Sequence, residues 1–331
     1  MSSLGDAVKL PCGLVLPYLF VKAAMAERIA ESGHNPTPLI LDLYNQWGQD
    51  GWGALLTGNV QVDVNHLGTP GDPALHDEYT GKENNEGLVA TWAKYAQACQ
   101  QHGTPGIVQI CHPGRQLLRG AGTCGLFAST IVPSALPLLI GDGLLDRIFS
   151  RITQFIDTAR LMADSGFSGI ELHGADEHLI DAYGGSPEKR ANSSTFEETM
   201  TQVGLLVEAG VDFLVVSGGS YEDPNATVCE AFFIEFATEN RKRYPNIFLM
   251  LTGGFRSRAA AQQLLTPNSP NCVLDETVPD GKAQLLFKKI PAPFYARFLP
   301  TKVIGAGLEL TYYCEQMRRI AKGLKTTVPS V

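Results

Sequence analysis

Four short apolar runs in this chain each end on residues that can do chemistry. Ile107-Val-Gln-Ile-Cys-His112 carries an amide at Gln109 and an imidazole at His112, and Gly169-Ile-Glu-Leu-His173 ends on a second imidazole. Phe248-Leu-Met-Leu-Thr252 opens into Gly253-Gly254, and Ala54-Leu-Leu-Thr-Gly58 into Asn59. Gln109 and His173 offer amide and imidazole hydrogen bonds to a planar heteroaromatic ligand. Gly253-Gly254 lets backbone approach a phosphate. Singly, each residue is commonplace: a loop Gln, a turn Gly-Gly, a His that orients the following Pro113-Gly114. Their weight comes from a shared position at the C-terminal ends of predicted strands, the face on which (β/α)8 barrels build their sites.

Placing such groups on one face requires parallel strands joined by helices. Strands are predicted over Leu19–Ala24, Ala54–Gly58, Gly106–Ile110, Gly169–His173, Phe213–Ser217 and Phe248–Thr252. Helices are predicted over Thr37–Gln49, Glu86–Gln101, Leu145–Asp164, Phe196–Ala209, Ala231–Arg243 and Ser257–Leu265, with a last one over Gly307–Lys322. The third has apolar residues at Ile148, Ile152, Phe155, Ala159 and Met162, a helical repeat suited to a barrel wall. Gly166 and Gly210 stop two helices just before the next strand, as C-terminal capping glycines do. A closed barrel of this class needs eight strands. The segments where the fifth and eighth belong, Lys189–Thr195 and Pro270–Val273, are short for a strand-loop-helix unit of ~30 residues. The expectation is an α/β chain, a (β/α)8 TIM barrel in one domain over residues 1–331, incomplete or distorted around strands 5 and 8.

Composition narrows the partners. With 331 residues, 44% hydrophobic and 18% charged, the chain reads as a soluble globular enzyme with a large core. A net charge of -8 leaves no basic cluster to displace counterions from nucleic acid or to seek an anionic membrane. No apolar run reaches the length of a membrane span, and Met1 to Pro11 holds no signal-like apolar stretch. The 7 cysteines are scattered and lack metal-ligand spacing, which points to reduced thiols in the cytoplasm and to no metal.

Several stretches together carry a resemblance. Phe20-Val-Lys-Ala-Ala-Met25, Leu56-Thr-Gly-Asn59, Gln109-Ile-Cys-His-Pro-Gly-Arg115, Gly169-Ile-Glu-Leu-His-Gly-Ala175 and Tyr183-Gly-Gly-Ser186 come first. Val216-Ser-Gly-Gly-Ser-Tyr-Glu222, Thr252-Gly-Gly-Phe-Arg256, Gly305-Ala-Gly307 and Tyr312-Tyr313 follow. In type and order they resemble the old yellow enzyme family of FMN-dependent oxidoreductases, close to its fungal branch, almost end to end. The resemblance implies FMN across the C-terminal mouth of the barrel, with Ala24, Met25 and Gly58 flanking the ring. Gln109 would bind its pyrimidine side, Arg190 would supply a cation and Gly253-Gly254 would hold part of the phosphate. It also implies a ping-pong reaction in which hydride from NAD(P)H passes by way of FMN to the β-carbon of an enone-like small molecule. His173 would hydrogen-bond the substrate carbonyl. A fungal biosynthetic pathway is a plausible setting.

The chain also departs from the pattern. The family follows this His with a second His or Asn, then with a proton-donating Tyr. The matching positions here are Asp176 and His178. An ionised Asp176 would repel an enolate oxygen and could donate only if burial kept it protonated. His178 could replace the Tyr as proton donor. Internal segments expected after Ile180, after Arg190 and at Asn271-Cys-Val273 are missing. Arg190 can match either the Arg that follows Tyr-Gly-Gly-Ser or the strand-5 cation, not both. Losing two strands would exceed ordinary net stabilities of ~5–15 kcal/mol unless something compensates. Three readings stay open: an ene-reductase with a repaired barrel, a flavin-free enone isomerase using Asp176 and His178, and a decayed or mis-spliced family member.

Overall fold

Parallel strands pair only through crossovers, so alternating strands and helices fold into βα units whose strands are covered on both faces. The computed structural model describes residues 4–31, 33–75, 86–114, 117–121, 125, 149–174, 194–217, 230–252, 272–275 and 301–327. A hairpin of β1 (Val8–Lys9) and β2 (Val15–Leu16) leads into β3 (Phe20–Lys22), α1 (Pro38–Gly48), β4 (Leu55–Gln61), α2 (Glu86–Gln100) and β5 (Gly106–Cys111). Then come α3 (Phe149–Asp164), β6 (Gly169–Leu172), α4 (Ser194–Glu208), β7 (Phe213–Val216), α5 (Glu230–Arg243), β8 (Phe248–Thr252), β9 (Cys272–Asp275) and α6 (Thr301–Ala321). The six strands predicted from sequence are all present. The helix predicted over Ser257–Leu265 lies outside the described residues.

The order of the 7-stranded sheet is β6-β5-β4-β3-β9-β8-β7, and every neighbouring pair is parallel. The pairing of β9 with β3 is decisive. It joins the last strand to the first, through Phe20 to Val273, Val21 to Leu274 and Lys22 to Asp275, which is how a barrel closes and how an open doubly wound sheet does not. Around that closure β3, β4, β5 and β6 occupy the first four barrel places, and β7, β8 and β9 the sixth, seventh and eighth. Among the described residues no strand links β6 to β7, the seam where a fifth would stand. The segment in which the sequence places that irregularity, Lys189–Thr195, lies outside the described residues up to position 193. The eighth place needs a correction: the segment that looked too short supplies β9, because β3 on one side and β8 on the other satisfy the backbone of a four-residue strand.

Two side-chain layers follow from strand alternation. Val21, Ala54, Leu56, Ile107, Phe248 and Met250 form one apolar cluster with Leu4, Leu10, Leu16 and Leu19, so the N-terminal hairpin stops the bottom of the barrel. The alternate residues Leu55, Val60, Val108 and Ile110 join Ile40, Leu43, Trp47, Trp92 and Tyr95 between the sheet and its helices. Thr37 caps α1, its hydroxyl accepting the Ile40 N–H at 3.3 Å, with Pro38 in the first turn. The two predicted capping glycines have positive φ, +87° at Gly166 and +84° at Gly210. Each sits in a paired closing motif: Phe167 N–H to Met162 O with Gly166 N–H to Ala163 O, and Val211 N–H to Leu206 O with Gly210 N–H to Val207 O. The apolar stripe of α3 is only partly used, since Met162 is fully buried while Ile152 is 52% exposed.

Candidate active site

Toward the C-terminal ends of the strands the inward face turns polar. Gln109 follows Ile107 on the inner face of β5, and Glu171 lies beside it in register on β6. The Gln109 backbone N–H donates to Thr57 Oγ1 at 3.0 Å, and its side-chain Nε2 donates to Glu171 Oε2 at 3.1 Å. Both side chains are buried. Burial pushes the Glu171 carboxyl up to about 7, against the opposing pull of the Gln109 hydrogen bond and the Lys22 charge. His173 leaves the end of β6 half-buried, its backbone N–H donating to Ile110 O at 3.0 Å. Thr252 ends β8, and its buried hydroxyl has no hydrogen-bond partner.

Gly58 sits differently from the expectation. Strand β4 runs on to Gln61, with an irregularity in its pairing to β5 between Leu56 and Asn59, so Gly58 lies within the strand and not at its end. Its N–H donates to Glu27 Oε1 at 2.9 Å and to Tyr44 Oη at 2.9 Å. A Cβ there would stand 2.1 Å from Glu27 Oε2 and 2.3 Å from the Met25 carbonyl oxygen. The glycine therefore admits the segment that follows β3, on which Ala24 and Met25 are half-buried.

That segment is anchored by a network that sequence reading missed. Lys22 points to the helix side of β3, where its ammonium donates to Leu56 O at 2.8 Å and Tyr44 Oη at 3.2 Å, 4.4 Å from the Trp47 ring centre. Tyr44 donates in turn to Glu27, and Tyr95 also reaches Glu27 Oε1 at 3.4 Å. Burial pushes Lys22 down to about 8, and the Glu27 charge works against that shift; burial also holds the Tyr44 and Tyr95 phenols well above their ordinary value. The available signal was a lysine inside an apolar strand run, which demands buried acceptors. Removing the bridging hydroxyl in Tyr44→Phe is expected to lower stability by about 2 kcal/mol, read as a drop in the urea midpoint against wild type.

His112 follows β5 fully buried, its Nδ1 accepting the Gly114 N–H at 3.1 Å, so it orients the Pro113-Gly114 turn. Its ring lies 5.2 Å from that of His66, whose Nδ1 is 2.6 Å from Asp63 Oδ2. Asp63, His66 and His112 stand close enough to suggest a metal cage. The hydrogen bonds argue otherwise: with Nδ1 of His112 accepting, the ring proton belongs on Nε2, the atom that would have to ligate. Asp176, His178, Arg190, Gly253 and Gly254 lie outside the described residues.

First and last strands paired, leucines packed below and a fixed amide above give the frame on which parallel barrels build their ligand sites. The residues fit FMN. Gln109 would offer its buried amide to a ring edge, and Thr252, whose hydroxyl has no hydrogen-bond partner, immediately precedes the paired glycines in sequence. The model of the NADH:flavin oxidoreductase / NADH oxidase family matches residues 18–250, and the chain belongs to that family, in the fungal branch of the old yellow enzymes. It is 34% identical to the NADH-dependent flavin oxidoreductase iliE of Hypocrea jecorina, over 88% of this chain and 94% of the relative. It is 32% identical to the NADH-dependent flavin oxidoreductase iccE of Talaromyces variabilis, over 96% of this chain and 98% of the relative. The first alignment spans 379 positions against 331 residues here, so the relative carries segments this chain lacks. Among solved structures, morphinone reductase superposes with a TM-score of 0.64 at 17% identity, covering 82% of this chain and 85% of its own, and shares the (β/α)8 barrel. The family's cofactor is FMN with NAD(P)H as reductant, and its chemistry is of the ene-reductase type. No described helix is long and apolar enough to cross a membrane.

Proposed function

We propose that this chain reduces the activated C=C bond of an enone-like small molecule, and that Gln109, held between Thr57 and Glu171, is the residue that reads the flavin edge. The carrying observation is the Gln109 to Glu171 hydrogen bond, which fixes an amide in the barrel mouth. When bound, FMN supplies the hydride that it has taken from NAD(P)H. Ala24 and Met25 would flank the ring, and Thr252 with Gly253 and Gly254 would hold the phosphate side. Arg190 adds a cation. The His173 imidazole donates to the substrate carbonyl oxygen, where negative charge builds in the transition state. His178 protonates the α-carbon, and Asp176, in the position of the family's second His or Asn, can donate a hydrogen bond only in its protonated form. Free Cys99, Cys111 and Cys314, all buried, suit a reducing cytoplasmic compartment.

The test is the visible spectrum of the purified chain after expression with FMN and desalting. A retained flavin band is expected, and His173→Ala should keep the band while lowering enone turnover about 100-fold. A colourless protein that still unfolds cooperatively would overturn the reductase assignment and favour a flavin-free isomerase.

A further inference from the structure

An amide has two ends, and which end meets the ligand is a choice that a neighbouring group must make. At Gln109 the neighbour is Glu171, whose Oε2 lies 3.1 Å from Nε2. An ionised carboxylate only accepts, so it binds the nitrogen end and leaves the oxygen end of the amide for the ligand. Strand pairing brings the two together: Gln109 and Glu171 are partners in the β5–β6 register, both buried. The Gln109 backbone is pinned in turn by Thr57. Among the described residues, the charged and titratable groups that interact electrostatically with Glu171 are the Lys22 ammonium on β3 and the Cys111 thiol on β5.

We propose that Glu171 is a positioning residue, its carboxylate setting the polarity of the Gln109 amide so that the amide oxygen is presented to a ring N–H. This deepens, and rests on, the flavin reading of the site. The ligand chemistry it selects is an imide-type edge, a ring N–H flanked by carbonyls, which the pyrimidine side of a flavin provides. Once protonated, Glu171 can donate instead, and an amide turned end for end would meet the ring with its nitrogen. Recognition of the N–H should then fade in acid, across the range in which burial places this carboxyl.

The experiment measures flavin affinity of the apoprotein by fluorescence quenching between about pH 5.5 and pH 8.5. FMN is compared with its N3-methylated form, which lacks the ring N–H. Riboflavin runs alongside, because the FMN phosphate has its own titration near pH 6. At pH 8.5 wild type should prefer FMN to N3-methyl-FMN about tenfold, the scale of one buried hydrogen bond. The preference should shrink at pH 5.5, and riboflavin should show the same pH trend. The isosteric Glu171→Gln can hold either amide orientation, so it should bind FMN about tenfold more weakly at pH 8.5 and lose the pH trend. A wild-type preference that does not change with pH overturns the assignment without needing the variant to fold. So does a Glu171→Gln protein that matches wild type at every pH. Absence of flavin binding by wild type at any pH would overturn the flavin reading itself, an outcome distinct from the other two.

Discussion

Gly58→Ala is expected to cost about 3–5 kcal/mol of stability and to abolish FMN retention, the severe range for a single substitution. The new methyl carbon would lie 2.1 Å from Glu27 Oε2 and 2.3 Å from the carbonyl oxygen of Met25, distances no packed atom pair tolerates. One obstacle is backbone, so the segment after β3 must move, and Ala24 and Met25 with it. The other is a buried carboxylate that takes hydrogen bonds from Gly58 N–H, Tyr44 and Tyr95. Swinging it away strands those donors and leaves Lys22 facing a broken network. Urea unfolding of wild type, Gly58→Ala, Glu27→Ala and the double variant separates the causes. If the carboxylate is the main obstacle, the double variant loses clearly less than the sum of the singles. A Gly58→Ala protein with a wild-type midpoint and a retained flavin band would show that the close approach is not real.

What could be read from sequence, and what could not, divides along physical lines. Runs such as Ile107-Val-Gln-Ile-Cys111 and Phe248-Leu-Met-Leu-Thr252 announce buried parallel strands by themselves, because both of their faces need apolar cover. Cys272-Val-Leu-Asp275 does not, since its strand character comes from β3 and β8 on either side and not from local pattern. The end of β4 was misplaced because Gly58-Asn59 reads as a turn, whereas the glycine is there to let the Glu27 carboxylate in. Gln109 and His173 were visible as strand-end polar residues. Glu171 stands in the same strand, and strand alternation sets it on the same face as His173, but nothing in the local pattern singles it out. Its partner comes from a neighbouring strand, and only register reveals that.

Between pH 4.5 and pH 7 wild type is expected to lose stability relative to Glu171→Gln by about 3 kcal/mol. The sign follows from where the proton resides. Burial lifts the folded-state carboxyl from 4.5 to about 7. Below pH 4.5 the folded and unfolded chains both hold the proton, and the folded chain carries no charge penalty at this position. As pH rises, the unfolded chain releases its proton first, while the folded chain must either keep it or ionise a buried group. The stability present in acid is therefore lost as pH rises through 7. Asp72, also raised mainly by burial, pushes the wild-type curve the same way, so the wild-type curve alone cannot isolate Glu171. The difference between the two proteins can, because Asp72 is common to both. Lys22 acts in the other window: burial lowers it to about 8, so its contribution rises with pH from there toward 10.5 and leaves the acid limb untouched. Urea midpoints at half-unit pH steps would trace the difference. Parallel curves from pH 4.5 to 7 would mean that Glu171 ionises in the folded chain as it does in the unfolded one, and that water reaches the floor of the flavin mouth.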